Sequence, residues 1–293
     1  MAEYAFSLVN VFAQAPFGGN PLCVFEDALG LTDSQMQALA RQFNLSETVF
    51  VFPTGPGAAR VRIFTPATEL PFAGHPVIGT AHVISRLAGG IASVSLQTRA
   101  GPVSLDAVAD DWVFTAPVPG NGPRMNRPLA SNAEIVALLG LQQDDLLDHP
   151  VWLDTGNEQL LVPVKNPDIV RRAQPQAGLL AAWPANGAGR KNAYVFAPLE
   201  SAGPSRFGKR ALARYFYATA AGSIDEDPGT GSACANLGGW LVATGREIPT
   251  HVKVEQGTFI GRPCTLQLEV RPDQSIRVGG RVMALGHGVI HLG

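Results

Sequence analysis

The chain is poor in cysteine, in charge and in long apolar runs. Its three cysteines, Cys23, Cys234 and Cys264, are odd in number and show no CxxC spacing. They predict reduced thiols in a cytoplasmic protein and exclude a disulfide framework. Charged residues make up only 16%, with a net charge of −2 and no Lys/Arg stripe. That argues against nucleic acid or an anionic membrane as the main partner. No apolar run reaches the roughly 18 residues of a membrane span. The N-terminus has no basic segment followed by an apolar one, so no secretory signal is expected. GxxxxGK[ST], GxGxxG and GxSxG patterns are missing, which leaves phosphate-loop, dinucleotide and serine-hydrolase readings without support.

Metal chemistry also lacks a ligand cluster. His287 and His291 have helical metal spacing, but the glycines and β-branched residues around them predict a terminal strand, Met283 to Leu292. On a strand their rings would stand roughly 13 Å apart, too far to share one ion. No metal and no organic cofactor is expected.

What is present in abundance is apolar content, at 46%, with 32 glycines and 23 prolines over 293 residues. This predicts two buried cores and many tight turns between short strands. Tyr4 to Phe12 and Pro21 to Phe25 read as strands around the turn Phe17-Gly18-Gly19-Asn20. Thr32 and Gln35 form a capping box for a helix carrying Met36, Leu39, Ala40 and Phe43. Glu47 precedes the apolar strand Val49 to Phe52, and Ala59 to Thr65 follows. Pro76 suits the first position of a helix running through Ala81 and Ile84. The Pro/Gly stretch from Pro117 through Asn121 to Pro123 is a linker. Beyond it, Ser131 and Glu134 cap a helix that Gly140 ends.

The second half repeats the order of the first. Thr155-Gly156-Asn157 answers Gly18-Gly19-Asn20, and Ala193 to Phe196 answers the strand after Glu47. Arg62 and Arg214, Phe64 and Phe216, His75 and Asp227, Pro76 and Pro228, Gly79 and Gly231, and Ala81 and Ala233 pair at a constant spacing without a gap. Pro102 and Leu105 have counterparts in Pro263 and Leu266. One topology used twice predicts a duplicated domain with a cleft between its halves.

Each matched loop enters a helix through proline. The unpaired N–H groups and positive dipole end of such helices suit an anion, most simply a substrate carboxylate. Thr230, Gly231 and Ser232 add hydroxyls and a close backbone. Taken singly, each loop reads as ordinary capping, with Asp227 at the N-cap and Pro228 at the first helical position. Glu47 alone reads as a solvated strand end, and His75 alone as a hydrogen-bonded turn residue.

Three segments carry a resemblance beyond this: Asn44 to Phe50, Leu70 to Thr80 and Glu226 to Ala233. With Phe17 to Pro21, Val254 to Gly257 and Gly261 to Pro263, they resemble the phenazine-biosynthesis PhzF-like family over nearly the whole chain. The resemblance implies an α+β, diaminopimelate epimerase-like fold. Each half would be a curved, mostly antiparallel sheet around a central helix, spanning 1–118 and 129–284, with 285–293 returning to the first half. It implies a homodimer and cofactor-independent isomerisation of a dihydro-hydroxyanthranilate-like substrate. Glu47, His75 and Asp227 would be catalytic, with Asn20, Gly74, Thr230, Gly231 and Ser232 binding substrate. A carboxyl that both takes and returns a proton works best near neutrality, which burial against Val49, Val51 and Phe72 would favour. Val77, Ile78 and Gly229 stand at positions that vary in that family and say nothing for one substrate. A thiol-based epimerase is disfavoured, since neither matched loop contains cysteine. Two alternatives stay open: an isomerase of another amino-acid-like compound, or a binding protein that keeps the fold.

Overall fold

The computed structural model describes residues 2–120, 122–199, 209–219 and 221–293. Asn121 of the expected linker lies outside the described residues. The chain divides into two compact units, Met1–Thr115 with Gly279–Gly293, and Ala116–Val278. The pattern-based halves end at 118 and 284 and the second begins at 129, so they differ from these units by three, six and thirteen residues.

In the first unit β1 (Ala2–Val11) pairs antiparallel with β2 (Asn20–Phe25). The helix α1 (Asp33–Phe43) then crosses to β3 (Glu47–Gly55), which lies parallel to β2. The capping box of Thr32 and Gln35 starts α1, and Asn44, in the left-handed conformation, ends it. β4 (Ala58–Phe64) returns antiparallel to β3, and the two-residue β5 (Glu69–Leu70) folds back on it. The helix α2 (Gly74–Leu87) leads to β6 (Ser93–Thr98), parallel to β4. β7 (Gly101–Val108) and β8 (Asp111–Thr115) complete an antiparallel meander.

The second unit begins with β9 (Arg124–Asn126), followed by α3 (Asn132–Leu138) with its Ser131–Glu134 capping box. From there it repeats the first. β10 (Val151–Asp154) pairs antiparallel with β11 (Gln159–Pro163). The short helix α4 (Pro167–Arg172) crosses to β12 (Asn192–Leu199), parallel to β11. β13 (Lys209–Ala218) returns antiparallel, and β14 (Ile224–Asp227) folds back on it. The helix α5 (Gly231–Ala243) leads to β15 (Thr250–Gln256), parallel to β13, and β16 (Cys264–Val270) is antiparallel to β15. The last strand, β17 (Ile276–Leu292), pairs with β1 over Val282 to Leu292.

Each unit is organised by a helix that is buried on nearly every side. Ten of the fourteen residues of α2 are buried, as are the first ten of α5. A helix apolar all round belongs inside a core. Small residues let the strands close on it. A Cβ at Gly79 would come within 2.5 Å of Leu22 Cδ2 and 2.9 Å of Val11 Cγ2. A Cβ at Gly238 would meet Ile276 Cγ2 at 2.7 Å, and one at Gly239 would meet Leu153 Cδ2 at 2.6 Å. On the outer face of the first sheet, Met36, Leu39 and Ala40 of α1 pack against Cys23, Phe25, Phe50 and Phe64. Strand alternation therefore turns Leu22 and Val49, the neighbours of Cys23 and Phe50, towards α2.

The structure corrects the ungapped pairing of the halves. Arg62 and Arg214 do correspond. Each donates to a glutamate on the following short strand, Glu69 and Glu226, and each lies over a phenylalanine, Phe64 and Phe216. Phe64 pairs with Glu69 and Phe216 with Glu226, and the second turn is longer by five residues. Everything after that turn is shifted. Ala73 and Thr230 are the equivalent N-caps. The second helical residue is His75 in α2 and Ser232 in α5, so His75 answers Ser232 and not Asp227. Asp227 ends β14 three residues before the N-cap Thr230, Pro228 precedes the helix, and Pro76 is the third residue of α2.

Among the described residues no helix is long and apolar enough to cross a membrane. One glycine supports the loop before α5. Gly257 has φ +77°, and a Cβ there would lie 2.4 Å from the Pro228 carbonyl oxygen and 2.3 Å from that of Arg262. Both neighbours are backbone and cannot swing aside. Gly257→Ala should therefore cost about 2–4 kcal/mol, from left-handed strain plus overpacking. The denaturation midpoint in urea should fall accordingly.

Candidate active site

Asn20, Glu47 and His75 meet in the first unit through strand alternation and helix entry. In the parallel ladder Leu22 stands opposite Glu47. Asn20 and Glu47 share the strand face of Leu22 and Val49, the face that looks onto α2. α2 begins at the same end of the sheet, with Gly74 and His75 as its first residues. His75 Nε2 lies 3.3 Å from Glu47 Oε2, with side-chain exposures of 5% and 15%. On the other side of the ring, Asn20 Nδ2 lies 3.1 Å from His75 Nδ1. With its amide nitrogen turned to the ring, Asn20 donates and Nδ1 accepts, which assigns the ring hydrogen to Nε2, the nitrogen nearer Glu47.

The electrostatics agree with a neutral ring. Burial pushes the His75 pKa down to about 3. An ionised Glu47 at 3.3 Å would favour the imidazolium, but the loss of hydration outweighs it, and the Asn20 contact requires a lone pair on Nδ1. No side chain caps the first turn of α2, whose N-cap is Ala73. A carboxylate, a neutral N–H donor and an uncapped helix end thus converge.

The second unit gathers Asp227, Thr230, Gly231 and Ser232 around the start of α5. The Thr230 hydroxyl donates to the Asp227 carboxylate, and Gln256 Nε2 donates to the Asp227 carbonyl at 2.8 Å. Gln256 also receives the Thr230 N–H at 3.3 Å and donates to the Thr230 hydroxyl at 3.0 Å. No side chain caps α5. Ser232 is held by Gln159 and Asn157, and Asn236 binds both of these in turn. Asn157 stands where Asn20 stands in the first unit, as its Thr-Gly-Asn turn suggested. Gln159 and Asn236 left no comparable signal in the sequence. Asn20, expected to bind substrate, lies against the ring of His75.

The thiols lie apart from this chemistry. All three cysteines are buried. Cys23 faces the α1 side of its sheet, and Cys234 is the fourth residue of α5. Burial pushes the Cys23 and Cys234 thiols well above their ordinary range, so neither is a thiolate near neutrality. Among the described residues no three His, Cys, Asp or Glu side chains gather in a metal-binding group. A cavity of about 390 Å³ in the first unit is lined by Asp33, Arg60, Arg62, Glu69 and Arg99. Arg62 and Arg99 are already bound to Glu69 there, so it reads as an ion-pair cluster and not as a centre of acid–base chemistry.

Residues 9–291 match the family model of the phenazine biosynthesis-like proteins, PhzC-PhzF. The chain belongs to this family. A protein of Pasteurella multocida described as an uncharacterized isomerase is 39% identical over 98% of this chain and 94% of its own. The trans-2,3-dihydro-3-hydroxyanthranilate isomerase of Pseudomonas chlororaphis is 31% identical, over 98% of this chain and 99% of its own. The crystal structure of a PhzF-family phenazine biosynthesis protein from Bacillus anthracis superposes with a TM-score of 0.82. It is 25% identical, with all of both chains covered. The fold is the diaminopimelate epimerase-like one, and by this kinship the chain is an isomerase.

Two expectations follow. A Cys23→Ala, Cys234→Ala, Cys264→Ala variant that folds should keep most of its turnover, and the native thiols should resist an aromatic disulfide reagent until the chain unfolds. Burial of neutral His75 also sets a pH dependence. The unfolded chain binds a proton near the ordinary value of 6.5, and the folded one only near 3. Stability from this group is therefore complete above 6.5 and declines as the pH falls below it. Between about pH 6.5 and 5, above the range where carboxylates titrate, the native protein should lose melting temperature faster than His75→Gln.

Proposed function

We propose that this isomerase moves a proton on a small carboxylate-bearing substrate of the dihydro-hydroxyanthranilate type, with Glu47 as the group that takes and returns it. The observation that carries the reading is the Glu47 carboxyl group set 3.3 Å from Nε2 of a buried His75 whose pKa burial pushes down to about 3. A neutral imidazole donor steadies the ionised carboxylate without taking its proton. Glu47 can then abstract a hydrogen from a carbon next to an unsaturated system and deliver it elsewhere on the same face. His75 is the partner that shares the carboxylate while it is charged.

The uncapped first turns of α2 and α5, with Gly74, Gly231 and Ser232, supply N–H and O–H donors for the substrate carboxylate and the charge that develops in the conjugated system. The Asp227 carboxylate, braced by Thr230, suits a substrate amine or hydroxyl. No metal or organic cofactor enters this chemistry, and we carry a cytoplasmic homodimer as part of the same reading.

The test uses trans-2,3-dihydro-3-hydroxyanthranilate, the compound on which the Pseudomonas relative acts by name. Glu47→Gln keeps the shape and removes the base. Turnover should fall by about 10²–10⁴-fold, the usual worth of a general base. Binding should change by less than about tenfold, which is ~1.4 kcal/mol. In heavy water the native enzyme should place deuterium at the reprotonated carbon, or retain the original hydrogen if the shuttle is shielded, and the variant should do neither. A fully active Glu47→Gln beside an inactive, folded His75→Ala would move the base to His75. EDTA and exhaustive dialysis should leave the native rate unchanged, and a loss restored by zinc or manganese would defeat the cofactor-free reading.

A further inference from the structure

Ser232, the second residue of α5, is 7% exposed, and its hydroxyl accepts two hydrogen bonds. Gln159 Nε2 donates to it at 3.0 Å and Asn157 Nδ2 at 3.3 Å. Amide ends look alike, so the direction of each bond needs an anchor of fixed polarity. The structure has such anchors. Asn236 Oδ1 accepts the backbone N–H of Thr155 at 2.9 Å, and Asn236 Nδ2 donates to the Asn157 carbonyl at 2.8 Å. Main-chain groups have one role each, so Asn236 cannot be turned over. Its Nδ2 also donates to Gln159 Oε1 at 2.8 Å, which leaves Gln159 Nε2 to face the serine. Asn157 Oδ1 accepts from the Arg190 guanidinium at 2.6 Å. A guanidinium only donates, so Asn157 also turns its nitrogen to the serine.

A hydroxyl has two lone pairs and one hydrogen. Here both lone pairs are taken, and the hydrogen has no acceptor among the described residues. We propose that Asn157 and Gln159 are positioning residues that force Ser232 to present its hydrogen, so that the first turn of α5 accepts only a group that cannot donate, a substrate carboxylate oxygen. This rests on the reading above that places Ser232 against the substrate.

The first unit carries the same device in its simplest form. Asn20 Nδ2 faces His75 Nδ1 from the place equivalent to Asn157, and the other ring nitrogen is turned towards Glu47. The imidazole nitrogen has one lone pair and needs one donor, and Leu22 occupies the place of Gln159. The hydroxyl has two lone pairs and needs two. An ammonium set against the Ser232 hydroxyl itself would meet donor against donor.

The experiment has two arms. Neutron diffraction on the deuterated full chain should show the Ser232 deuteron directed away from both amides. A deuteron on the line to Asn157 or Gln159 overturns the proposal, whatever the substrate. In solution, calorimetry with 3-hydroxyanthranilate compares the native chain with Gln159→Leu, Ser232→Ala and the double variant. Gln159→Leu should weaken binding about tenfold, and the loss should vanish in the Ser232→Ala background. 2-Aminophenol, which lacks the carboxylate, should bind all four forms alike. A loss that persists undiminished without Ser232 would mark a structural role and defeat the proposal. Failure of the native chain to bind 3-hydroxyanthranilate would count against the substrate class, and the deuteron position would still decide this inference.

Discussion

Each unit depends on one constraint: its central helix is buried along almost its whole circumference, its first turn included, so that only the C-terminal end of the helix reaches solvent. Backbone N–H groups at a helix start have no partner within the helix. Most helices satisfy them with a capping side chain, as α1 and α3 do through Thr32 and Ser131. α2 and α5 have no side-chain cap. Unpartnered donors at a buried helix start are costly, and the two N-caps without a side-chain bond, Ala73 and Thr230, stand at equivalent points of the two units. The glycines Gly79, Gly238 and Gly239 let the strands close on α2 and α5 and so fix where each helix begins.

The duplicated framework keeps its structural pairs and diverges in its chemical ones. Arg62 with Glu69 and Arg214 with Glu226 are the same buried or half-buried clamp, holding the short strand that launches each central helix. Beyond the clamp, the second unit has a longer turn, and the residue delivered to the helix start changes from histidine to serine. Glu47 is matched by Asn192, whose amide oxygen accepts the backbone N–H of Leu160. One unit therefore brings a carboxylate and an imidazole, a pair suited to moving protons. The other brings an amide network, a hydroxyl and the Asp227 carboxylate that Thr230 braces. Duplication supplied the scaffold, and the side chains at its equivalent points diverged.

Interactions between near neighbours were legible in the sequence because they depend on spacing alone. The capping boxes of Thr32–Gln35 and Ser131–Glu134, the stop at Gly140, the strands on either side of Glu47 and the repeat of the halves all follow from local periodicity and turn chemistry. So did the separation of the cysteines from the matched loops. Residues that act through such local rules, or lie in the three motif segments, could be named from sequence: Glu47, His75, Asp227 and Ser232 among them.

Polarity and register were decided only by the tertiary structure. The shift that sets His75 against Ser232 comes from a longer turn whose register is visible only once β14 pairs with β13. The bonds that orient the site join residues far apart in the chain, Asn20 to His75 and Asn157 and Gln159 to Ser232, across parallel strands linked by helical crossovers. No spacing rule reaches that far. Nor does a sequence say which end of an amide faces a hydroxyl. That is settled by a relay ending on the backbone of Thr155 and Asn157 and on the guanidinium of Arg190, groups whose hydrogen-bonding role cannot be reversed.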